Sequence, residues 1–254
     1  MSATYANSAA PFRVGGSISK AFDVFRKGWW KFFVLTLIPT APYYLFDLLT
    51  APATLQAVAE RQAAGGAYFW GLGFRMVLGI VLSALANATC LYGAYQVMRG
   101  RDFSIGESLA NGLRRLASVA GTSLLTGLAF MAGLMLLVVP GFIVGAMVFV
   151  ALPACVIEKL GPFASFGRSR ALTKGSRWKL FGLILLAYFG LAVTAGVLGG
   201  IGAYAGGLVG YKVGTLPGTV LFTAFVSVLT AVVYHDLRVA REGVDIETLA
   251  NVFD

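Results

Sequence analysis

The chain has 254 residues, of which 58% are hydrophobic and only 12% are charged, and its mean hydropathy is +0.80. A soluble domain has about a quarter of its residues charged, so this composition excludes an ordinary soluble globular domain. The formal net charge is +9, but we predict no nucleic-acid binding, because the chain has no soluble domain to present a basic surface.

Five apolar runs are long enough for membrane crossing, which needs roughly 20 residues per helix, and the run 120–157 is long enough for two crossings. We therefore predict an all-α, polytopic membrane protein in which residues 1–254 form a single integral membrane domain. In chain order, the predicted spans are approximately 29–50, 71–98, 120–139, 142–157, 178–198 and 217–234.

Two features mark the connections between these spans. The third and fourth spans share one long apolar run, and the Pro140-Gly141 dipeptide within it predicts a hairpin turn. Between the last two spans, glycines recur every four residues from Gly202 to Gly218, a pattern typical of close helix contact. We interpret 199–216 as a short re-entrant or surface helix, with an outer loop as the alternative.

The distribution of positive charge predicts the orientation. With six spans, seventeen of the twenty Lys and Arg residues fall on one side, whereas Arg61 and Lys212 fall on the other and Arg75 lies within the second span. The positive-inside rule therefore predicts that both termini are cytoplasmic. The N-terminal segment has no apolar run typical of a signal peptide.

The segments before spans one, three and five resemble one another. SISKAFDVFRKGWWK (17–31) aligns without gaps with SIGESLANGLRRLAS (104–118), and FRKGWWK shares its Lys-Gly and Trp-Lys with LTKGSRWK of the third segment. Apolar residues on one face and cations on the other predict interfacial helices. We interpret the chain as three copies of an interfacial helix, an elbow and a hairpin, with chance similarity as the alternative. Trp29, Trp30 and Trp178 are the predicted interfacial anchors.

The third of these segments is the most basic. Its cations predict a site for one or two lipid phosphates, because anionic headgroups accumulate at the cytoplasmic leaflet. The predicted headgroup ligands are Arg168, Arg170, Lys174 and Arg177. The alternative is that these charges serve only to orient the chain during insertion.

Polar residues also occur inside the predicted spans. Arg75 and Asn87 lie on one polar stripe of span two, and Asp47 near the end of span one is the expected partner of Arg75. Thr223 and Ser227 belong to a similar stripe on span six. Such stripes usually pack helices together, and a solute pathway along them is the alternative.

The sequence contains no pattern typical of catalysis. Cys90 and Cys155 lie within apolar runs, and His235 is the only histidine. There is no nucleophile motif, phosphate loop or cluster with metal-ligand spacing. We therefore expect no enzymatic activity, no cofactor and no metal.

Two segments, PACVIEKLGPFASFGRSRALTKGSRWKLFGLILL and VVYHDLRVAREGVDIETLANVFD, resemble the membrane domain associated with glycerophosphodiester phosphodiesterases. That family includes stand-alone bacterial membrane proteins of unassigned function. The resemblance implies a membrane domain in the bacterial inner membrane and not a hydrolase, which would need a separate soluble domain with metal-binding carboxylates. The matching residues are Pro153, Glu158, Gly161, Pro162, Arg168, Ser169, Leu172, Thr173, Lys174, Gly175, Trp178, Tyr234, Leu237 and Arg238.

These observations predict a non-catalytic membrane protein that engages anionic membrane lipids or a membrane protein partner. The alternative is a transporter or channel whose pathway follows the polar faces of spans two and six.

Overall fold

A computed structural model describes residues 12–50, 60, 66–136 and 138–242. Every regular element within these residues is an α-helix, as predicted. The helices are Val14–Lys27 (α1), Trp29–Leu49 (α2), Gly66–Met98 (α3), Ile105–Arg114 (α4), Leu116–Leu136 (α5), Val138–Val148 (α6), Ala151–Ile157 (α7), Pro162–Thr173 (α8) and Arg177–Glu242 (α9). The predictions for residues 1–11, Arg61 and the tail 243–254 lie outside the described residues.

Four helices are long and apolar enough to cross a membrane, which is consistent with a membrane protein. They are Trp29–Leu49, Trp70–Met98, Leu116–Met135 and Arg177–Glu242. The stretch Gly141–Ile157 is also apolar but shorter.

Helices α5 and α6 form a hairpin, but its turn is not at Pro140-Gly141. Pro140 lies within the first turn of α6, where a proline is tolerated because its missing N–H has no helical partner there. The turn therefore precedes it, and the predicted turn position was wrong. The two limbs approach closely, since a Cβ placed on Gly133 would lie 2.7 Å from the Cα of Gly141.

The second limb of this hairpin is interrupted between α6 and α7. The interruption at Phe149 and Val150 lies one turn before Pro153. The Pro153 ring has no N–H to donate to the carbonyl four residues earlier and would clash with it. The predicted span 142–157 therefore consists of two short consecutive helices, α6 and α7.

Helix α9 also doubles back on itself, at Gly206 and Gly207. Gly207 has φ +60° and ψ −138°, a backbone conformation open essentially only to glycine. The first arm (177–205) and the second arm (208–242) meet so closely that a Cβ on Gly202 would lie 2.1 Å from the carbonyl oxygen of Gly210. Residues 199–216 thus extend the two arms, and the separate short helix that we preferred was wrong.

The three short helices α1, α4 and α8 lie where the repeat predicted them. Their N-caps are Arg13, Ser104 and Gly161. The fourth residue after each N-cap is a fully buried serine that donates its hydroxyl to the N-cap carbonyl. These serines are Ser17, Ser108 and Ser165. A small buried residue follows one turn later in each helix, namely Ala21, Gly112 and Ser169.

The repeat has a different register from the sequence alignment. That alignment paired Ser17 with Ser104, whereas the N-caps pair Ser17 with Ser108. Helix α1 has 14 residues and α4 has 10, so α1 is one turn longer. A shift of four residues keeps nearly the same helix face, which is why the apolar pattern fitted both registers.

Each short helix packs its small residues against the second limb of the preceding unit. In α4, a Cβ on Gly112 would lie 2.6 Å from Cγ2 of Thr89 on α3. In α8, Ser169 donates its hydroxyl to the Met147 carbonyl of α6 at 2.7 Å. In α1, Ser17 donates to Asp236 at the end of α9. The last contact joins the first unit to the third, so the three units close into a ring.

The lysines of two elbows join neighbouring units in the same way. Lys31, in the first elbow, donates to the carbonyl of Phe103, immediately before the N-cap of α4, at 3.1 Å. Lys179, in the third elbow, donates to the carbonyl of Phe12, immediately before the N-cap of α1, at 2.8 Å. Lys31 also bonds Asp102, and this bond keeps the pKa of the Asp102 carboxyl below its usual range.

The second arm of α9 supplies much of the buried core. Tyr234 and Leu237 are almost completely buried, and they pack with Leu172 of α8 and Leu180 of the first arm. A second cluster centres on Phe32 of α2 and includes residues of α3 and α9. The core thus lies at the end of the bundle where the three short helices meet.

Candidate functional site

The predicted pairing of Arg75 with Asp47 is confirmed. Nη2 of Arg75 contacts Oδ1 of Asp47, and both side chains are largely buried. Lys212, on the second arm of α9, also contacts Asp47, with its Nζ 2.6 Å from Oδ2. The cluster therefore joins α2, α3 and α9 around one carboxylate. Its role is to hold these three helices together.

The predicted polar residue Asn87 connects the stripes of α3 and α9. Its Oδ1 accepts the Ser227 hydroxyl at 2.7 Å, and its Nδ2 donates to the carbonyl of Ser83 at 2.8 Å. Ser83, Asn87 and Thr223 line a cavity of about 470 Å³ that opens at the surface of the bundle. The two stripes thus meet at one open cavity.

Among the predicted headgroup ligands, Arg168 is held by two carboxylates. Its Nε lies 2.8 Å and 2.9 Å from the two Glu158 oxygens, and its Nη1 contacts Glu242. The carboxylates of Glu242 and Glu158 raise the pKa of the Arg168 guanidinium. Tyr234 donates its hydroxyl to Glu158, and Arg238 bonds Glu242. Arg168 is therefore part of an internal ion-pair network and is not a free cation.

This network contains several of the residues on which the family resemblance rests. Glu158, Arg168, Tyr234 and Arg238 are far apart in the sequence, yet they meet where α7, α8 and the end of α9 converge. Their positions are accounted for by interactions that hold these helices together.

The other predicted headgroup ligands do not share one face with Arg168. Arg170 and Lys174 are exposed, and Arg177 is half-buried. Arg170 follows Arg168 by two residues, which is about 200° around a helix, so the two side chains leave α8 on opposite sides. The three predicted tryptophan anchors, Trp29, Trp30 and Trp178, are all exposed at the elbows.

A different group of cations lines a basic pocket of about 260 Å³. The pocket lies between the end of α3, the elbow of α4 and α5, and the segment after α7. Its cations are Arg99, Arg115 and Lys159. Its uncharged polar lining consists of Tyr92, Tyr95, Gln96 and Asn111. We call this set of seven residues the basic pocket.

The cations of the basic pocket have no carboxylate partner. Within the described ranges, Arg99, Arg115 and Lys159 form no ion pair. Glu107 contacts a residue of the pocket, since it accepts the hydroxyl of Tyr92. Oε1 of Gln96 is buried and has no hydrogen-bond partner in the described part of the chain.

The ring of three units provides an internal comparison for this pocket. The seventh residue after each N-cap is Lys20 in α1, Asn111 in α4 and Arg168 in α8. Lys20 pairs with Asp236, and Arg168 pairs with Glu158 and Glu242. At these two positions the protein supplies its own carboxylates. At the third, the pocket beside Asn111 is lined by three cations and by no acidic side chain of the described residues.

No sequence pattern indicates that the cations of the basic pocket come together. Arg99, Arg115 and Lys159 were counted only as charges on the positive side, because they belong to three separate segments. One conformational detail distinguishes Lys159, whose φ is +61°, in the left-handed region that favours glycine.

Among the residues that the structure describes, no group of three or more His, Cys, Asp or Glu side chains is arranged to hold a metal ion. No protein-family model, curated protein or solved structure matches the chain.

Proposed function

We propose that this chain is a non-catalytic, six-span membrane protein that binds the phosphate of an anionic lipid in the basic pocket. The observation that carries the proposal is the group Arg99, Arg115 and Lys159, which faces one pocket without a carboxylate partner in the described residues. An anion supplied by a ligand would balance these charges in the way that Asp236 balances Lys20.

The proposal counts six spans by dividing α9 at its turn and by taking α6 and α7 together as one span. Each arm of α9 exceeds the roughly 20 residues that one crossing needs, so α9 supplies spans five and six. The hairpin of α5 with α6 and α7 supplies spans three and four, although the last of these is short. Helices α2 and α3 are the first two spans.

In this arrangement α1, α4 and α8 lie along the interface of the cytoplasmic leaflet. Support comes from the exposed tryptophans at the elbows and from the exposed Phe22 and Phe163 on two of the short helices. The charge distribution supports cytoplasmic termini. The resemblance to the membrane domain associated with glycerophosphodiester phosphodiesterases supports a bacterial inner membrane, and in this proposal its anionic phospholipids lie against the basic end of the bundle.

The chemistry of the basic pocket suits a phosphate. Arginine binds phosphate oxygens through two parallel N–H groups, and lysine adds a compact positive charge. Tyr95 supports the guanidinium of Arg99, which lies 5.7 Å from the centre of its ring. Each cation near an anionic leaflet contributes about 1 kcal/mol of attraction, so three cations give a preference that lipid analysis can measure.

The test compares two variants that each lose three positive charges on the same predicted side. The first is Arg99→Gln/Arg115→Gln/Lys159→Gln in the basic pocket. The second is Arg170→Gln/Lys174→Gln/Arg177→Gln in the segment that the sequence indicated. Lipids that co-purify with each protein are measured by mass spectrometry as the ratio of phosphatidylglycerol to phosphatidylethanolamine.

We expect a severalfold loss of phosphatidylglycerol in the first variant and a near-normal ratio in the second. Equal losses of phosphatidylglycerol in both variants would mean that general surface charge attracts the lipid. An unchanged lipid profile in the first variant would contradict lipid binding in the basic pocket. In that case an acidic membrane partner would be the remaining ligand for these cations.

A single substitution separates binding from folding. Lys159→Gly removes a cation and places glycine at a left-handed position, where it is favoured by about 1 kcal/mol. The variant should therefore be at least as stable as the natural protein and still lose phosphatidylglycerol. Retention of the lipid by this variant would exclude Lys159 from the site.

The open cavity favours a second candidate function, a pathway for an uncharged solute. The polar stripes of α3 and α9 meet there, and its lining has no charged side chain among the residues that the structure describes. Proteoliposomes exposed to a glycerol gradient would then re-swell faster than protein-free vesicles in stopped-flow light scattering. Equal re-swelling rates with and without the protein would exclude the solute pathway, and lipid binding would remain the proposed function.

A further inference from the structure

The open cavity lined by Ser83, Asn87 and Thr223 lies about midway along the bundle, away from the basic pocket. It is bounded by α3, α5, α6, α7 and both arms of α9, so all three units contribute to its walls. Asn87 on α3 is twelve residues from Arg75 and twelve from Arg99. At 1.5 Å per residue, it lies about 18 Å along the helix from each of these charges.

The walls of the cavity are mostly apolar. Phe130 of α5, Leu152 of α7 and Phe222 of α9 are among the side chains that line it. Its volume of about 470 Å³ lies within the range of pockets that bind small organic molecules. None of the described residues that line it is charged, and burying an unpaired charge is costly. A ligand there must therefore be uncharged and largely hydrocarbon.

A small number of polar groups would orient such a ligand. Asn87 already has partners, since it accepts from Ser227 and donates to the Ser83 carbonyl. Thr126 of α5 does not, because its hydroxyl oxygen is buried without a hydrogen-bond partner in the part of the chain that the structure describes. A buried hydroxyl without a partner is destabilising, and a hydrogen bond with a ligand would offset that loss.

We propose that this cavity binds an uncharged long-chain amphiphile with a hydroxyl head, such as a fatty alcohol. The hydroxyl bonds Thr126, and the hydrocarbon chain packs against Phe130 and Phe222. The site is independent of the basic pocket, because it selects against charge and the pocket selects for it.

The test uses dodecanol carrying a photoactivatable diazirine on its chain, with the full-length protein in detergent. Unlabelled dodecanol serves as the competitor, and dodecanoate with the same diazirine is the charged control probe at pH 8. Adducts are located by mass spectrometry of peptides. We expect saturable labelling of cavity-lining residues by the alcohol, and labelling by the carboxylate that is at least tenfold weaker.

Two glycine substitutions make a matched pair. A Cβ on Gly127, which lines the cavity, would meet nothing within 4 Å, so Gly127→Leu fills the cavity without a clash at that atom. Gly196 on the first arm of α9 is also open and does not line the cavity, so Gly196→Leu is the control. The first substitution should abolish specific labelling, and the second should leave it unchanged.

Thr126→Val removes the unpartnered hydroxyl while nearly preserving the shape of the side chain, so the test does not depend on a leucine being accommodated. It should weaken dodecanol binding by roughly threefold to tenfold, the value of one hydrogen bond. It should not change labelling by a diazirine-bearing dodecane. Labelling that does not saturate, that persists in Gly127→Leu, or that is equal for alcohol and carboxylate would overturn the proposal.

Discussion

Ser17 donates its hydroxyl to Asp236 at 2.6 Å, and this bond joins two residues that are 219 positions apart. Ser17 is fully buried in the first unit, whereas Asp236 lies near the end of the third. Lys20 adds an ion pair to the same carboxylate at 2.9 Å. The contact closes a ring in which each short helix packs on the second limb of the unit before it.

This closure predicts unequal effects of removing its members. Asp236→Ala leaves the Ser17 hydroxyl without its partner on α9 and should cost about 1 to 3 kcal/mol of stability. Lys20→Ala should cost less than about 1 kcal/mol, because the Lys20 side chain is 65% exposed and solvent screens its ion pair. Thermal unfolding of the detergent-solubilised variants measures the difference. Equal losses would mean that the charge pair, and not the buried hydrogen bond, holds the ring closed.

The small face of α4 predicts a contrast between two glycines of one helix. A Cβ on Gly112 would lie 2.6 Å from Thr89, whereas a Cβ on Gly106 would meet nothing within 4 Å. Gly112→Ala should therefore destabilise the protein by about 1 to 3 kcal/mol through overpacking. Gly106→Ala should be neutral or stabilising by up to about 1 kcal/mol, since alanine favours the helix. If Gly112→Ala unfolds at the same temperature as Gly106→Ala, α4 does not pack on α3 as described.

The cluster at the other end of the bundle predicts a non-additive set of losses. Asp47→Ala leaves Arg75 and Lys212 without their shared carboxylate, so it should destabilise more than Arg75→Ala, after which Lys212 still pairs with Asp47. The Arg75→Ala substitution should cost less in the Asp47→Ala background than alone. Melting temperatures of the two single variants and the double variant form the cycle. Strictly additive losses would contradict the contact.

The Asp47–Arg75 pair could be predicted because each residue is a rare charge near the same end of adjacent spans, where a partner is energetically required. Lys212 could not be assigned to it, since its position depends on how α9 turns at Gly206 and Gly207. The interruption before Pro153 could have been predicted, because a proline disrupts the helical turn that precedes it. The apolar pattern of 142–157 instead predicted one continuous span.

The three short helices were predicted from amphipathic pattern, yet their register was off by one turn because helical periodicity barely distinguishes shifts of four. The basic pocket lay beyond sequence analysis for a different reason. Arg99, Arg115 and Lys159 face one another only after the first two units have packed, and no periodic pattern relates them. Conversely, Arg168 was predicted to bind a lipid phosphate because its carboxylate partners, Glu158 and Glu242, contact it only in the folded chain.

The six-span arrangement predicts which exposed residues an impermeant thiol reagent can reach. A cysteine on the cytoplasmic side must replace an exposed residue of α4, so Ser108, which is fully buried, is unsuitable. Ala205, beside the turn of α9, and Ala110 on α4 are both exposed. In intact cells, Ala205→Cys should react from outside and Ala110→Cys should react only after permeabilisation. Cys90 and Cys155 are buried, so the natural protein is the unlabelled control. Labelling of Ala110→Cys in intact cells would reverse the proposed orientation.

The central claim is that a lipid phosphate occupies the basic pocket, and magnetic resonance can measure that contact directly. Protein with 15N-labelled arginine is placed in phosphatidylglycerol bilayers, and 31P–15N dipolar dephasing is recorded by solid-state NMR. We predict strong dephasing of guanidinium nitrogens in the natural protein, because N–H groups that bond phosphate oxygens lie within about 3 Å of them. This signal should be lost in Arg99→Gln/Arg115→Gln and kept in Arg170→Gln/Arg177→Gln. Dephasing that survives in the first variant, or is absent from the natural protein, would contradict the claim.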